Sequence, residues 1–404
     1  MRLFALVPSL CSLLVVPLVM LPAAEEAEQT PPIPSTELDE QPLPVVQSAA
    51  DDVLVITPMR RSSLVDRAPL RVDVISPEEL RLRGNPARTR DIIGNRSGVF
   101  ITTDGGVSGN TTIRLRGTRS GDVRVLQDGL PVIDSTGINQ SMDATRISTV
   151  GLQQAEILYG SQSGFYGSGA IGGVIGLQTA RPTQYQENEA LLEVGTMNSQ
   201  RVDGVFTGPI SDTIGYALSV RGARSTGISN RYDNSSSSTP LGASGSHEKD
   251  GFEQAIARAR LEWTPQDGIS TYVAAEQQFN RTEFDGFAAP DDENSRSRVY
   301  DLRISAGGEM DVSDDLSVST DVLVTNSRRT YPHESNASQS YFNGRVLYAL
   351  LEGRYQATAI SIIDAGLDAE QQQFDLQPGS KRVANLGSWA SLTVEEKDYI
   401  LALT

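Results

Sequence analysis

The sequence predicts an α+β domain followed by antiparallel strands of a transmembrane β-barrel. Three observations predict it. A mixed helix and strand pattern fills residues 70–182. Beyond Pro182, strands alternate polar and apolar side chains. The connections between those strands are by turns short and long. A chain of 404 residues is long enough for two or more domains. Its net charge of -17 opposes a nucleic-acid partner, since phosphate-backbone binding needs a basic face. A mean hydropathy of -0.26 argues against a helical membrane bundle, although a barrel with a polar lumen is compatible with it.

The N-terminal stretch MRLFALVPSLCSLLVVPLVMLPAA has one early cation, Arg2, an apolar run, and small residues at Ala23 and Ala24. It reads as a secretory signal peptide over 1–24, with Pro8 and Pro17 arguing against a membrane anchor. Cys11 is the one cysteine, and Leu10 before it does not suit a lipoprotein signal. An exported chain with no cysteine left suits a Gram-negative envelope better than a disulfide-stapled extracellular domain. Residues 25–50 are rich in Pro, Glu, Gln and Ser and read as a disordered linker.

Residues 51–58 form a short strand-like run closed by Pro58, with nowhere obvious to pair within the chain. It is either the first edge strand of the next domain or a segment that adds to a partner's sheet by β-augmentation. In the α+β domain, VDVISPEEL gives a strand and then a helix start. Ser76 is the cap, Pro77 the first helical residue, and Glu79 stands three after the cap. The run from Asn85 to Ile101 reads as a second helix ending before Gly98 and then a strand. TIRLRG and VRVLQDGLPV alternate as strands, with Asp128-Gly129 a hairpin turn. After Ile147 come a short helix or turn and another strand.

YGSGAIGGVIG contains G-x-G-x-x-G at Gly167, Gly169 and Gly172. A dinucleotide site needs a helix opening at the last glycine, because its free N–H groups bind the pyrophosphate. Here a β-branched, glycine-broken run stopped by Pro182 follows, which is a strand. Glycines in a strand mark a bulge or a close backbone approach, here expected against another wall.

Together, DVLVITP at 52–58, LRG at 115–117, VLQDGLPV at 125–132 and Y-G-S-x-A-I-G-G-V at 166–174 resemble the TonB-dependent outer-membrane receptors, most of all the cobalamin receptors. The resemblance implies an α+β plug domain at 59–182 inside an incomplete 22-stranded barrel, of which 183–404 is the N-terminal part. It implies a TonB box at 51–58, with Asp52, Val53, Leu54, Val55, Ile56 and Thr57 bound by periplasmic TonB. The glycine run would lead the plug's last strand along the inner barrel wall. Where such receptors have Arg-Gly-Pro, this chain has Tyr159, Gly160 and Ser161, which removes a plug cation and its ion pair to the barrel.

QAIARARLEW puts Ala255, Ala257, Ala259, Leu261 and Trp263 on one face and Gln254, Arg258, Arg260 and Glu262 on the other, with Ile256 the exception. YALSVR, LRISA and LSVSTDVLV repeat the alternation. Short turns at 208–213, 264–268 and 311–315 alternate with long polar loops at 222–251, 280–298 and 326–339, which favours a barrel over a soluble sandwich. Plugged transporters use about 22 strands, whereas about eleven are legible here at roughly ten residues each. An open edge cannot face lipid, so a fragment is expected, from a truncated gene model or a split gene.

The resemblance also makes Asp233, Glu248, Asp250 and Asp285 candidate Ca²⁺ ligands in extracellular loops, since carboxylates on loops suit that ion. The bland alternative is that they only solvate the loops. By the same analogy Asn110, Thr111, Ser135, Thr136 and Asn139, on apical plug loops, are candidate substrate contacts. Cobalamin is the leading substrate, a ferric siderophore the next, and a soluble exported binding module the alternative of a different class. No enzyme is expected: His247 and His333 lie in loops, with no G-x-S-x-G elbow.

Overall fold

A computed structural model describes residues 54–55, 63–64, 70–104, 109–137, 142–228, 250–284, 296–332, 340–376, 379–396 and 399–403. The expected signal peptide and linker lie outside the described residues. Strands β1 (Leu54–Val55) and β2 (Ser63–Leu64) pair antiparallel, Leu54 opposite Leu64. The 52–57 segment therefore does have a partner within the chain, two residues of it closing a local hairpin.

The small domain is a five-stranded mixed sheet. Its order is β3 (Val72–Ile75), β8 (Leu152–Tyr159), β9 (Gly173–Thr179), β6 (Val123–Gln127), β7 (Leu130–Pro131). A separate hairpin joins β4 (Val99–Asp104) to β5 (Asn110–Leu115). Helix α1 (Pro77–Leu82) begins as its sequence dictates: Ser76 Oγ accepts from the Glu79 amide at 3.2 Å and Pro77 stands at the first position. The Glu79 carboxylate turns away from the cap to Arg83 and Arg96. The second helix is shorter than expected, α2 (Thr89–Ile93), ending at Gly94. Ile75, Ile92, Ile93, Leu115, Ile157 and Ile175 are fully buried in the core between these layers.

No helix opens after Gly172. Strand β9 follows, parallel to β6 and antiparallel to β8. Glycines of the run pack within the domain, while Tyr166, Ala170 and Val174 of the same stretch belong to a buried cluster against which Trp389 of the following sheet packs. A Cβ on Gly172 would collide with Thr118, and one on Gly173, at φ +144°, with the Leu158 carbonyl. A short helix α3 (Ser163–Tyr166) ends at Gly167, also at positive φ.

Eleven antiparallel strands follow in strict chain order. They are β10 (Glu187–Gly195), β11 (Ser199–Pro209), β12 (Ile214–Ser225), β13 (Phe252–Gln266), β14 (Ile269–Glu283) and β15 (Arg296–Ser313). Then come β16 (Leu316–Tyr331), β17 (Ser340–Thr358), β18 (Ser361–Leu376), β19 (Gly379–Glu396) and β20 (Tyr399–Leu403). The turns at one end are short. Several strands run further into the long loops than their polar sequences suggest, to Glu283 in β14 and Tyr331 in β16.

In β13 the faces sort as expected: Ile256, Arg258 and Arg260 are buried, while Ala257, Ala259, Leu261 and Trp263 are exposed. Ile256, the apparent exception, is buried on the same inner face as Arg258 and Arg260. Flat, eleven strands would span about 48 Å, whereas a domain of about 110 residues has a radius of gyration near 13 Å. The small domain nevertheless meets every strand from β10 to β19. Asn85 bonds Glu189 at one end of that series, and Phe165 lies edge-on to Trp389 at the other, ring centroids 5.2 Å apart. The sheet must curl around it.

Candidate functional site

The seat of the small domain is a chain of buried charges. A 3-10 turn over Ala144–Arg146, capped by the Asp143 side chain on the Thr145 amide, aims Arg146 at the wall. Arg146 is 4% exposed at its side chain and pairs with Asp134 of its own domain and with Asp301 on β15. Its Nε donates to Asp301 Oδ2 at 3.1 Å and its Nη2 to Ser327 Oγ at 3.2 Å. Arg329 on β16 closes the network, with Nη2 3.1 Å from Asp134 Oδ2 and 4.0 Å from Asp143 Oδ2. Burial pushes the Asp134 carboxyl up. Arg146 and Arg329 override it and hold the group well below the usual carboxylate range.

A second clamp grips the Asp128-Gly129 turn. Both residues have positive φ, +51° and +81°, as a two-residue hairpin of this type requires. Asp128 accepts from the Thr179 amide at 2.8 Å and pairs with Arg258 on β13. Burial opposes its charge, yet Arg258 and the Thr179 amide keep its pKa below normal. Gln127 donates to Glu276 on β14 at 2.9 Å, and Arg303 on β15 donates to the Pro131 carbonyl at 2.8 Å. Further round, Arg221 on β12 forks onto Asp203 at 2.8 and 2.7 Å while donating to the Ala87 carbonyl at 3.0 Å. Arg124 meets Glu370 on β18 at 2.5 Å.

The place held by arginine in the resembling receptors is taken by Tyr159, whose hydroxyl donates to Asp73 at 2.8 Å. Arg71 and Arg116 lie 4.9 and 5.1 Å from its ring centroid. The domain keeps other cations for the wall, Arg124 and Arg146. Sequence reading missed these pairs.

Of the expected substrate contacts, Asn110 is exposed and Thr136 half-buried, with Thr136 Oγ1 bonded to Asp134 at 2.6 Å. Thr111 and Ser135 are 3% and 1% exposed, so neither presents its hydroxyl to solvent in this structure. The Thr111 amide donates to Asp143 at 3.1 Å, and Ser135 packs where a Cβ on Gly344 of β17 would collide. Asn139 lies outside the described residues. So do Asp52, Val53, Ile56 and Thr57, and, of the expected calcium ligands, Asp233, Glu248 and Asp285. Asp250 is described and buried beside β13. Among the described residues no three His, Cys, Asp or Glu side chains converge on a metal position.

At the long-loop mouth, above Arg329, the inner-face residues Tyr331 and Phe342 stand edge to face at 5.9 Å. Phe284 adds a third ring 6.0 Å from Tyr331. Phe342 is the register partner of Arg329. Three rings thus stand beside the Arg329–Asp134 pair, a patch suited to stacking with a ring-bearing ligand.

Residues 65–174 match the model of the TonB-dependent Receptor Plug Domain. Among solved structures, a double mutant of the ferric enterobactin receptor PfeA from Pseudomonas aeruginosa is 18% identical with a TM-score of 0.67. That match covers 84% of this chain and 57% of the receptor. The siderophore receptor PirA from Acinetobacter baumannii is 16% identical at a TM-score of 0.68, covering 82% and 55%. The ferric yersiniabactin uptake receptor FyuA from Yersinia pestis is 17% identical at 0.53, covering 80% and 61%. The chain thus spans somewhat over half the length of these receptors, and at such identities the likeness is one of fold. Residues 65–174 are a plug domain of the kind found in TonB-dependent receptors, and the chain has the fold of that plug with its curled β wall.

Proposed function

We propose that this chain supplies the plug and eleven wall strands of a TonB-dependent outer-membrane transporter for a ferric siderophore. The observation that carries the transport reading is the ion-paired seat of the plug. Arg146, Asp134, Arg329 and Asp301 join the two bodies through charges that water in a wet lumen can take over, beside smaller apolar contacts of Leu130 with Leu323, Tyr348 and Leu350 and of Phe165 with Trp389. Segment 52–57 is the handle for periplasmic TonB, added to the partner's sheet as a strand after its short pairing with β2 opens.

The siderophore reading is favoured over cobalamin by two things. The solved receptors of this fold reported above are named for siderophores. The triad Phe284, Tyr331 and Phe342 beside Arg329 also suits an aromatic, anionic iron chelate. No catalytic activity is assigned.

The test is ligand binding to the full chain in outer-membrane preparations, with ferric enterobactin and cobalamin as probes, each with and without calcium. Quenching of intrinsic fluorescence by the ferric chelate, reduced about tenfold in affinity by R329Q, supports the reading. Calcium-dependent cobalamin binding with no response to the chelate overturns it. Deleting residues 52–57 is expected to abolish energised uptake and leave binding intact. Unchanged uptake would remove the TonB role.

A further inference from the structure

The outward face of the wall carries a second, unassigned feature. Register partners in an antiparallel sheet share a face, and the pairing places Arg224, Glu253, Arg281 and Arg298 in one lateral row across β12 to β15. The row lies on the outward side, because Leu218, Leu261, Val273 and Ile304 of the same strand faces are exposed. Arginines continue on that face beyond β15. Arg328 on β16 is one step lower, opposite Tyr300, and Arg345 on β17 is one step lower again, opposite Asn326.

The border of the apolar face descends with them. Arg281 stands two residues above Phe279, Arg298 two above Tyr300, Arg328 four above Val324 and Arg345 two above Leu347. From β15 to β17 the step has the form of the stagger that tilted strands give to side chains of similar height, while from β12 to β15 the row runs straight across the strands. The band therefore runs along the long-loop end of the outward face, at the border of its apolar residues.

Five arginines along one border contrast with a chain of net charge -17. Carboxylates offset only part of the band: Arg281 pairs with Glu283 at 2.8 Å and with Glu253 at 3.4 Å, both exposed enough to be weak. Arg224 bonds Gln200, and Arg345 bonds Asn326. Among the described residues no carboxylate pairs with Arg298 or Arg328. Guanidinium groups lodged beside an apolar belt face the phosphate layer of a bilayer, and each such cation adds to the attraction for anionic headgroups.

We propose that Arg224, Arg281, Arg298, Arg328 and Arg345 form a binding band for the phosphate groups of lipids in the leaflet at the long-loop rim. The inference rests on the wall being embedded in a bilayer, so its test reports the two separately. The full chain is extracted from outer membranes and exchanged into micelles containing diphosphorylated lipid A, the same lipid dephosphorylated, or no lipid with millimolar inorganic phosphate. Lipid retained per chain is then counted by native mass spectrometry. Wild type is expected to retain the phosphorylated lipid and not its dephosphorylated form, with free phosphate failing to compete.

The variant R281Q/R298Q/R328Q/R345Q is expected to lower retention by about tenfold or more, and the corresponding four lysine replacements to restore most of it. Equal retention of both lipids, or a glutamine variant that retains as wild type does, overturns the band. A chain that leaves the membrane in alkaline carbonate instead overturns the bilayer reading beneath it. Should the glutamine variant fail to accumulate, salt-dependent loss of lipid A from the wild type still decides: no response to ionic strength counts against an electrostatic band.

Discussion

Asp134 shows what one side chain contributes to seating the plug. It is 1% exposed and shared by Arg146 of the plug and Arg329 of the wall, so removing its charge leaves Arg146 with Asp301 alone and Arg329 with Asp143 at 4.0 Å. Breaking a buried pair by deleting one partner typically costs about 3 kcal/mol or more. D134N is expected to lower the stability of the plug by an amount of that order, read as faster hydrogen exchange of β6 and β8. The pH dependence has a definite sign. The folded pKa lies below the unfolded value of about 3.9, so the contribution of Asp134 is complete above that value. It is lost as pH falls through the depressed folded pKa. Acid titration should therefore loosen the wild-type plug below about pH 4, and D134N should show a shallower acid response. Equal slopes would mean the network is not what acid breaks. None of this was legible in the sequence. Arg146 and Asp301 stand far apart along the chain, and only strand register brings them together. Ser76 with Pro77 and Asp128 with Gly129 were legible, because caps and tight turns are decided within four residues.

At the scale of elements, alternation identified the wall strands and misplaced their ends. Polar residues such as Asn280 and Arg281 read as loop. In a barrel they can still form ladder pairs, since one face meets a wet lumen or a headgroup layer. Helix α2 was overestimated for a related reason: Gly94 stops it, and the chain turns at once toward β4. The glycine run leads into a strand as its β-branched residues suggest, whereas the close contacts of Gly172 with Thr118 and of Gly173 with Leu158 depend on tertiary pairing that the sequence does not display. A sharp expectation follows for β9. Gly173 has φ +144° and faces the Leu158 carbonyl, so G173A must both strain the backbone and push two central strands apart. The plug of G173A should be cut by protease under conditions that leave the wild-type plug whole, a loss of about 2 kcal/mol or more. G129A, at an exposed turn with φ +81° and open space around it, is expected to cost about 1 kcal/mol. If both variants resisted proteolysis equally, the close approach of β8 to β9 would not be what holds the sheet.

For the whole molecule, the proposed function puts one face of the curled sheet against lipid and the other against the plug. The chain itself carries reporters for both. It has two tryptophans, Trp263 and Trp389. Trp263 is on the outward face of β13 near the short-turn end, 51% exposed. Trp389 is on the inward face of β19, its ring 5.2 Å from Phe165 of the plug at an interplanar angle of 65°. Indole emission and its quenching depend on the immediate surroundings, so each ring reports its own side. In bilayers made with brominated lipids, the W389F variant, which leaves Trp263, is expected to lose most of its emission. W263F, which leaves Trp389, should be quenched little. Conversely, F165A should shift the emission of Trp389 to the red by removing an apolar neighbour and leave Trp263 unchanged. Quenching of Trp389 by lipid to the same extent as Trp263 would mean that the plug does not cover the inner face. The ion-paired seat inferred from Arg146, Arg124 and Arg258 would then have no counterpart in the membrane.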